Sequence, residues 1–455
     1  MEGKRYVSVA ELARIGVPDD FDDPLLFVFK MVSDNGANMK AAWNNGSRWV
    51  PCADHTLELC TLPVTWVQKH QGNETIPRDS IAEAFAHGRG IVGYLHVSPI
   101  AEADFHACQK RCGLPQTKID MDVKTRWRTA HNMGEQLIEN KPAILEMDKN
   151  PAYKDPGETW GSSKISMGMW DFIEEGTAVL DKAAEASQFL EGDKYPTSSG
   201  VIPMTFALMA TSAPAEPVKF RNRIEDDLND SALNPEKVPH ADLTSKMQTA
   251  RKQFHESLIT RFDSDVPRDV KKFWFIASLL DPRFKKLTFK NDRLLTDMMR
   301  TRALSWLKAE FDRNYKGKVK VTPSDASHDG PPDASHDGPR PSHRKRRKTS
   351  AAGFFAGSDS ESEEEQERPL DELEAYLALP QIKFKTESDA TAWWQEHEQE
   401  FPNVAVMARQ YLGCPASSAA VERLFSQVGI AFSAKRKRGS AATLEDIMFS
   451  RFNLP

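Results

Sequence analysis

The sequence predicts an α/β layer at its start joined to a largely helical body, and three observations predict it. A short apolar run ending in a turn signal opens the patterned region, and apolar residues then recur every three or four positions through most of the chain. A stretch dominated by Pro, Ser and charges then cuts off a last helical segment. With 455 residues, 40% hydrophobic and 28% charged, the chain can bury a large core, and collagen-like or wholly disordered readings are excluded.

Residues 25–32, LLFVFKMV, read as a buried strand, and Ser33-Asp34-Asn35-Gly36 is a turn signal directly behind it. A helix over 37–43 follows, then a short strand over 48–52, then a helix from about Asp54 carrying His55, Leu59 and Leu62. From Ser80 the pattern is helical through IAEAFAHGRGIVGYL, TRWRTAHNMGEQLIEN and MWDFIEEGTAVLDKAAEASQFLEG, and it ends near Phe311 after the apolar block FWFIASLLDPRFKKL. Residues 322–367 hold a tandem DASHDGP repeat, a basic run and an acidic serine tract. Such a segment cannot bury apolar surface and is expected to be a disordered linker. Order resumes near Pro369. Val404, Met407, Ala408 and Tyr411 form one helical stripe, and Val421, Leu424, Phe425 and Val428 form another that stops at Gly429. A final helix starts near Thr443, with Asp446 completing a capping box.

Composition narrows the function classes. Lys and Arg number 60 against 66 Asp and Glu, a net charge of -6, so a uniformly basic nucleic-acid coat is excluded and DNA contact is confined to local patches. Five cysteines (Cys52, Cys60, Cys108, Cys112, Cys414) fit reduced thiols in a cytosolic or nuclear setting. The first residues, 1–17, scatter charges through any apolar run and do not read as a signal peptide, and the run 273–280 is far shorter than the ~18 residues of a membrane span. No membrane partner is expected.

Several residues invite chemistry, each beside a plainer role. Asp34-Asn35-Gly36 alone is ordinary turn composition. Cys52 and His55 have C-x-x-H spacing, yet a structural zinc site needs about four ligands and no second pair follows. His106, Cys108 and Cys112 read as a local grouping rather than a metal site. Arg344, Lys345, Arg346, Arg347 and Lys348 form a basic run that an importin can reach, which predicts nuclear localisation. Ser358, Ser360 and Ser362 sit in an acidic tract where phosphate would deepen the negative charge. A second basic run, 435–438, either contacts DNA backbone or solvates a loop.

Three segments together resemble the hAT superfamily of DNA transposases: SDNGANMKAAW (33–43) with CADHTLEL (52–59), TRWRTAHNM (125–133), and the C-terminal stretch from about Leu370 that includes WWQEHEQEFPNVAVMARQYLGCPASSAAVERLFSQVG. The resemblance implies a ribonuclease-H-like core, partial here, interrupted by a large all-helical insertion domain and completed by C-terminal helices. The corresponding boundaries are 1–135 for the partial core, 136–320 for the insertion, 321–368 for the linker and 369–455 for the dimerisation region. It also implies three carboxylates holding Mg²⁺ or Mn²⁺ for strand cleavage and transfer, a two-metal arrangement that clamps attacking and leaving oxygens. Asp34 matches the second aspartate and Glu422 the glutamate. The first aspartate, in an Asp-x-Trp-Thr context, has no match, and the acidic loop with Asp19, Asp20, Asp22 and Asp23 lacks a preceding strand. The zinc-binding BED domain also has no match, so the chain reads as a truncated or domesticated derivative with an incomplete triad.

By the same resemblance Trp127 stacks on a displaced base, with Arg126 and Arg128 on phosphates. Cys52 and His55 are a family motif within the site's architecture. Trp393, Trp394, Phe401, Leu424 and Phe425 belong to the surface that packs on the core and on another subunit, so self-association is expected. The function that follows is a nuclear, self-associating, DNA-binding derivative of a transposable-element enzyme. The alternative is a noncatalytic interaction or regulatory protein that keeps only the dimerising module.

Overall fold

The short strand β1 (Met31–Ser33) runs parallel to β2 (Trp49–Pro51), with Val32 opposite Val50. The structure is a computed structural model that describes residues 29–36, 39, 49–65, 78–123, 126–153, 159–224, 235–289, 292–318, 371–383 and 390–423. The expected strand over 25–32 is therefore seen only at its end, where Phe29 leaves the ladder and packs on Tyr411 and Phe273. The expected helices over 37–43 and from Thr443, and the linker, lie outside the described residues. Among the described residues the parallel pair is the α/β layer, and the rest is mostly helical.

The amide of Cys52 donates to the Ser33 carbonyl at 2.7 Å, extending the ladder by one step, and the chain turns straight into α1 (Ala53–Thr65). The helical body follows as α2 (Ile81–Val97), α3 (Pro99–Arg111), α4 (Trp127–Glu139), α5 (Lys141–Met147), the single turn α6 (Thr159–Ser162), α7 (Met167–Leu190) and α8 (Val201–Ser212). Ser80 caps α2 by accepting from the Glu83 amide, and Ser98 caps α3 behind a proline in the first turn, so both starts are written locally. Gly134 lets α4 close onto α7: a Cβ there would sit 2.5 Å from Thr177 Oγ1.

One element departs from the helical reading. β3 (Val218–Ile224) and β4 (Pro235–Val238) form an antiparallel hairpin that pairs Val218 with Val238 and Phe220 with Glu236. Val218 and Phe220 alternate inward while Lys219 and Arg221 stay exposed, a period of two that is too short to compete with the helical patterns around it. The chain continues through α9 (Ser245–Ile259), α10 (Arg268–Leu280) and α11 (Asp297–Asn314), and beyond residues 319–370 through α12 (Glu372–Ala378), α13 (Ala390–Glu396) and α14 (Pro402–Leu412).

A single apolar core runs from Val50 in β2 through Ile173, Trp274 and Tyr376 to Ala416, with no break at residue 136. α1 packs against both α7 and α9, so the helical body is built onto the α/β layer rather than beside it. Among the described residues no helix is long and apolar enough to cross a membrane.

Candidate functional site

The Cys52 thiol is where the two ends of the chain meet. It accepts the His55 amide at 3.3 Å, capping α1, and also the Ser418 amide at 3.3 Å, with Ser417 Oγ at 3.6 Å. The Ala53 amide donates to the Ala416 carbonyl at 2.8 Å. Asp34 follows β1 immediately, is exposed, and accepts its own turn's Gly36 amide at 3.3 Å. Glu422 lies one turn beyond Ser418, whose hydroxyl donates to Glu422 Oε1 at 3.0 Å. Asp34 and Glu422 thus reach the same turn, one through the Ser33–Cys52 backbone bond and the other through the Ser418–Cys52 contact. A cavity of about 420 Å³ opens beside it, lined by Asn35, Trp49, Thr56, Arg261, Asp265 and Asp269 among others.

A second convergence lies at the C-terminal end of α7. Arg128 pairs with Glu191 at 2.7 Å, while Arg423 donates to the Glu191 carbonyl at 3.0 Å and to Asp193 at 2.9 Å. Two guanidinium groups at a helix C-terminus complement its partial negative charge. Asp54, in the first turn of α1, receives the Ser187 hydroxyl at 2.5 Å. Burial pushes its carboxyl up to about 7, with Glu191 and Glu58 adding to the rise and Ser187 and Arg128 opposing it. The local sequence gives Asp54, Arg423 and Ser417 none of these contacts, which arise only when 187–193 and 416–423 fold back onto α1.

The remaining expected site residues have these surroundings. Trp127 is 3% exposed at the start of α4 and is part of the core. Arg126 beside it is exposed, whereas Arg128 is held by Glu191. Trp394 and Phe401, at 3% and 2% exposure, are consumed within the chain: the Trp394 indole donates to the Leu280 carbonyl at 2.8 Å, and both rings pack on Tyr376. Trp393 is partly buried and stacks on His397 at 3.9 Å. The covering surface is α10 and the loop behind it, where Lys285 donates to the Tyr376 carbonyl and the Ile382 amide donates to the Pro282 carbonyl. Leu424, Phe425 and the run Arg344–Lys348 lie outside the described residues.

The Cys52 and His55 pair does not converge on one point. The thiol is committed to two backbone amides, while His55 Nδ1 faces Glu58 at 3.0 Å. Asp34 and Glu422 each hold a local partner, and among the described residues neither belongs to a group of three ligand side chains close enough to share an ion.

A C-terminal segment that returns to close an N-terminal α/β turn defines an architecture in which the last part of the chain is both a core element and a candidate contact surface. Residues 372–454 match the hAT family C-terminal dimerisation region. The chain is 23% identical over 426 residues to the human (Homo sapiens) zinc finger BED domain-containing protein 4, a match covering 93% of this chain and 31% of that protein. It is 20% identical over 387 residues to the putative AC transposase of Zea mays, covering 80% of this chain and 40% of that one. The chain therefore spans well under half the length of these relatives.

Proposed function

We propose that this is a nuclear, self-associating hAT transposase-derived protein that contacts DNA through local basic patches. The observation that carries the reading is the dimerisation-region match over 372–454, on a segment whose described part docks onto α10 and the Cys52 turn. Because the Trp394 and Phe401 side chains are used inside the chain, the contact between copies falls to other surfaces of that segment. Arg126, exposed at the head of α4, is a cation free to meet a phosphate in the described region, and the run over 344–348 supplies the importin contact. Light scattering of the full chain at micromolar concentration is expected to give a dimer or larger species; a monomeric mass overturns the proposal.

A noncatalytic regulatory role is the second reading, favoured by the local partners that Asp34 and Glu422 already hold. Metal-dependent nicking of terminal-repeat DNA, lost in Asp34→Ala and Glu422→Ala, would refute it. Retained dimers without nicking support it.

A further inference from the structure

The interface between α4 and α7 holds polar atoms that the rest of the fold leaves unanswered. His131 is 4% exposed, and neither Nδ1 nor Nε2 has a hydrogen-bond partner. Thr177 Oγ1, on the facing helix, is likewise buried and unpartnered. A buried imidazole without partners forfeits its hydration on both edges, which folded proteins ordinarily avoid. Around it stand Glu135, one turn along α4, and Asp181, one turn along α7 from Thr177. One ligand atom from each of His131, Glu135 and Asp181 lies within 4.8 Å of the other two.

The spacing discriminates between a hydrogen bond and a shared ion. His131 Nδ1 stands 3.6 Å from Glu135 Oε2, too far for a hydrogen bond. Ligand atoms about 2.0–2.2 Å from a tetrahedral zinc lie about 3.3–3.6 Å from one another, so that separation is an edge of such a site. The i, i+4 placement puts both α4 groups on one helix face, and Gly134 between them permits the close approach of α7. Arg221 occupies one oxygen of Asp181 at 2.8 Å, which orients the carboxylate and leaves its other oxygen for an ion. Glu135 is 40% exposed in its side chain, which gives an entry path and an open fourth position for water.

We propose that His131, Glu135 and Asp181 form a binding site for a divalent transition metal, zinc foremost, that ties α4 to α7. One imidazole and two carboxylates suit such an ion better than calcium, which takes oxygen ligands throughout. The site shares no residue with the Asp34–Glu422 turn and stands independently of the proposed function.

Zinc content of the full-length protein, measured by elemental analysis after dialysis against zinc and then metal-free buffer, tests this. The expected result is one zinc per chain in the wild type and Cys112→Ser proteins, and at least a tenfold loss of affinity in His131→Leu and Asp181→Asn. Leu fills the histidine's space without polar atoms, and Glu135→Gln, at a partly exposed position, provides a ligand variant if a core variant does not fold. Cobalt loading is expected to give a d–d spectrum without a thiolate charge-transfer band. Absence of bound zinc, zinc retained by His131→Leu or by Glu135→Gln, or a thiolate band overturns the proposal.

Discussion

Replacing Trp394 separates a core role from an interface role. The side chain is 3% exposed and its indole N–H is the donor to the Leu280 carbonyl at 2.8 Å, at the point where the C-terminal region meets the end of α10. Truncating a buried Trp to Ala costs about 3–5 kcal/mol, and leaving the Leu280 carbonyl unanswered in a dry contact moves the cost to the upper end of that range. Trp394→Phe keeps most of the apolar area and loses chiefly the hydrogen bond, so its cost is about 1–2 kcal/mol. Urea unfolding followed by circular dichroism should rank the midpoints wild type, Phe, Ala, with a constant slope. Sedimentation at concentrations bracketing the dissociation constant, under conditions where all three are folded, should show unchanged self-association. A tenfold weaker dimer in Trp394→Ala with an unmoved unfolding midpoint would refute the core assignment and return the residue to the interface.

Asp281→Ala is expected to cost about 3–5 kcal/mol in the same unfolding assay, because it removes a fully buried carboxylate that meets the Arg283 guanidinium at 2.7 Å and accepts the Ser199 hydroxyl at 2.7 Å; a loss below 1 kcal/mol would mean that the loop relaxes to solvent. Asp54 gives a pH signature. Its folded carboxyl is raised to about 7, so the folded state binds the extra proton, and stability is fully present below the unfolded value and falls as pH rises from about 4 through 7. Asp54→Asn should therefore remove that slope and exceed wild type at pH 8 by up to about 4 kcal/mol, while matching it near pH 4; parallel stability–pH curves would contradict this. Cys52→Ala deletes the acceptor shared by His55 and Ser418 and should cost about 1–3 kcal/mol and expose the 416–423 segment to limited proteolysis before the rest of the chain; unchanged cleavage would show that the thiol does not hold it.

What the sequence disclosed was what repeats locally. The stripe of Val404, Met407, Ala408 and Tyr411 is buried as its spacing demands, and β2 with α1, α2 and α7 fall where pattern and capping residues place them. The strand–turn position of Asp34 was legible for the same reason. Val421, on an expected apolar face, is instead 51% exposed. What stayed hidden is the product of distant segments meeting. The covering of Trp394 by Leu280 and Tyr376 has no period to betray it. The same holds for the joint hold of Arg128 and Arg423 on the end of α7. His131 and Glu135 carry a visible i, i+4 signal, but Asp181 joins them only because α4 crosses α7.

The placement of the chain's linker follows from the same docking. Lys316, just before residues 319–370, pairs with Asp371, just after them, at 3.1 Å, and Tyr315 OH meets Gln410 Oε1 on α14. The described residues on either side of 319–370 are therefore held together by the fold itself. Closing a loop costs free energy only as the logarithm of its length, about 0.6 kcal/mol per doubling, so the fold tolerates a long insertion there at little cost. In the sequence the basic run over 344–348 and the acidic serine tract behind it lie between these two anchors. Address and fold are thereby separable: deleting 344–348 should abolish nuclear accumulation of a fluorescent fusion while leaving its unfolding midpoint in place, because every anchor of the C-terminal region named above lies outside the segment removed.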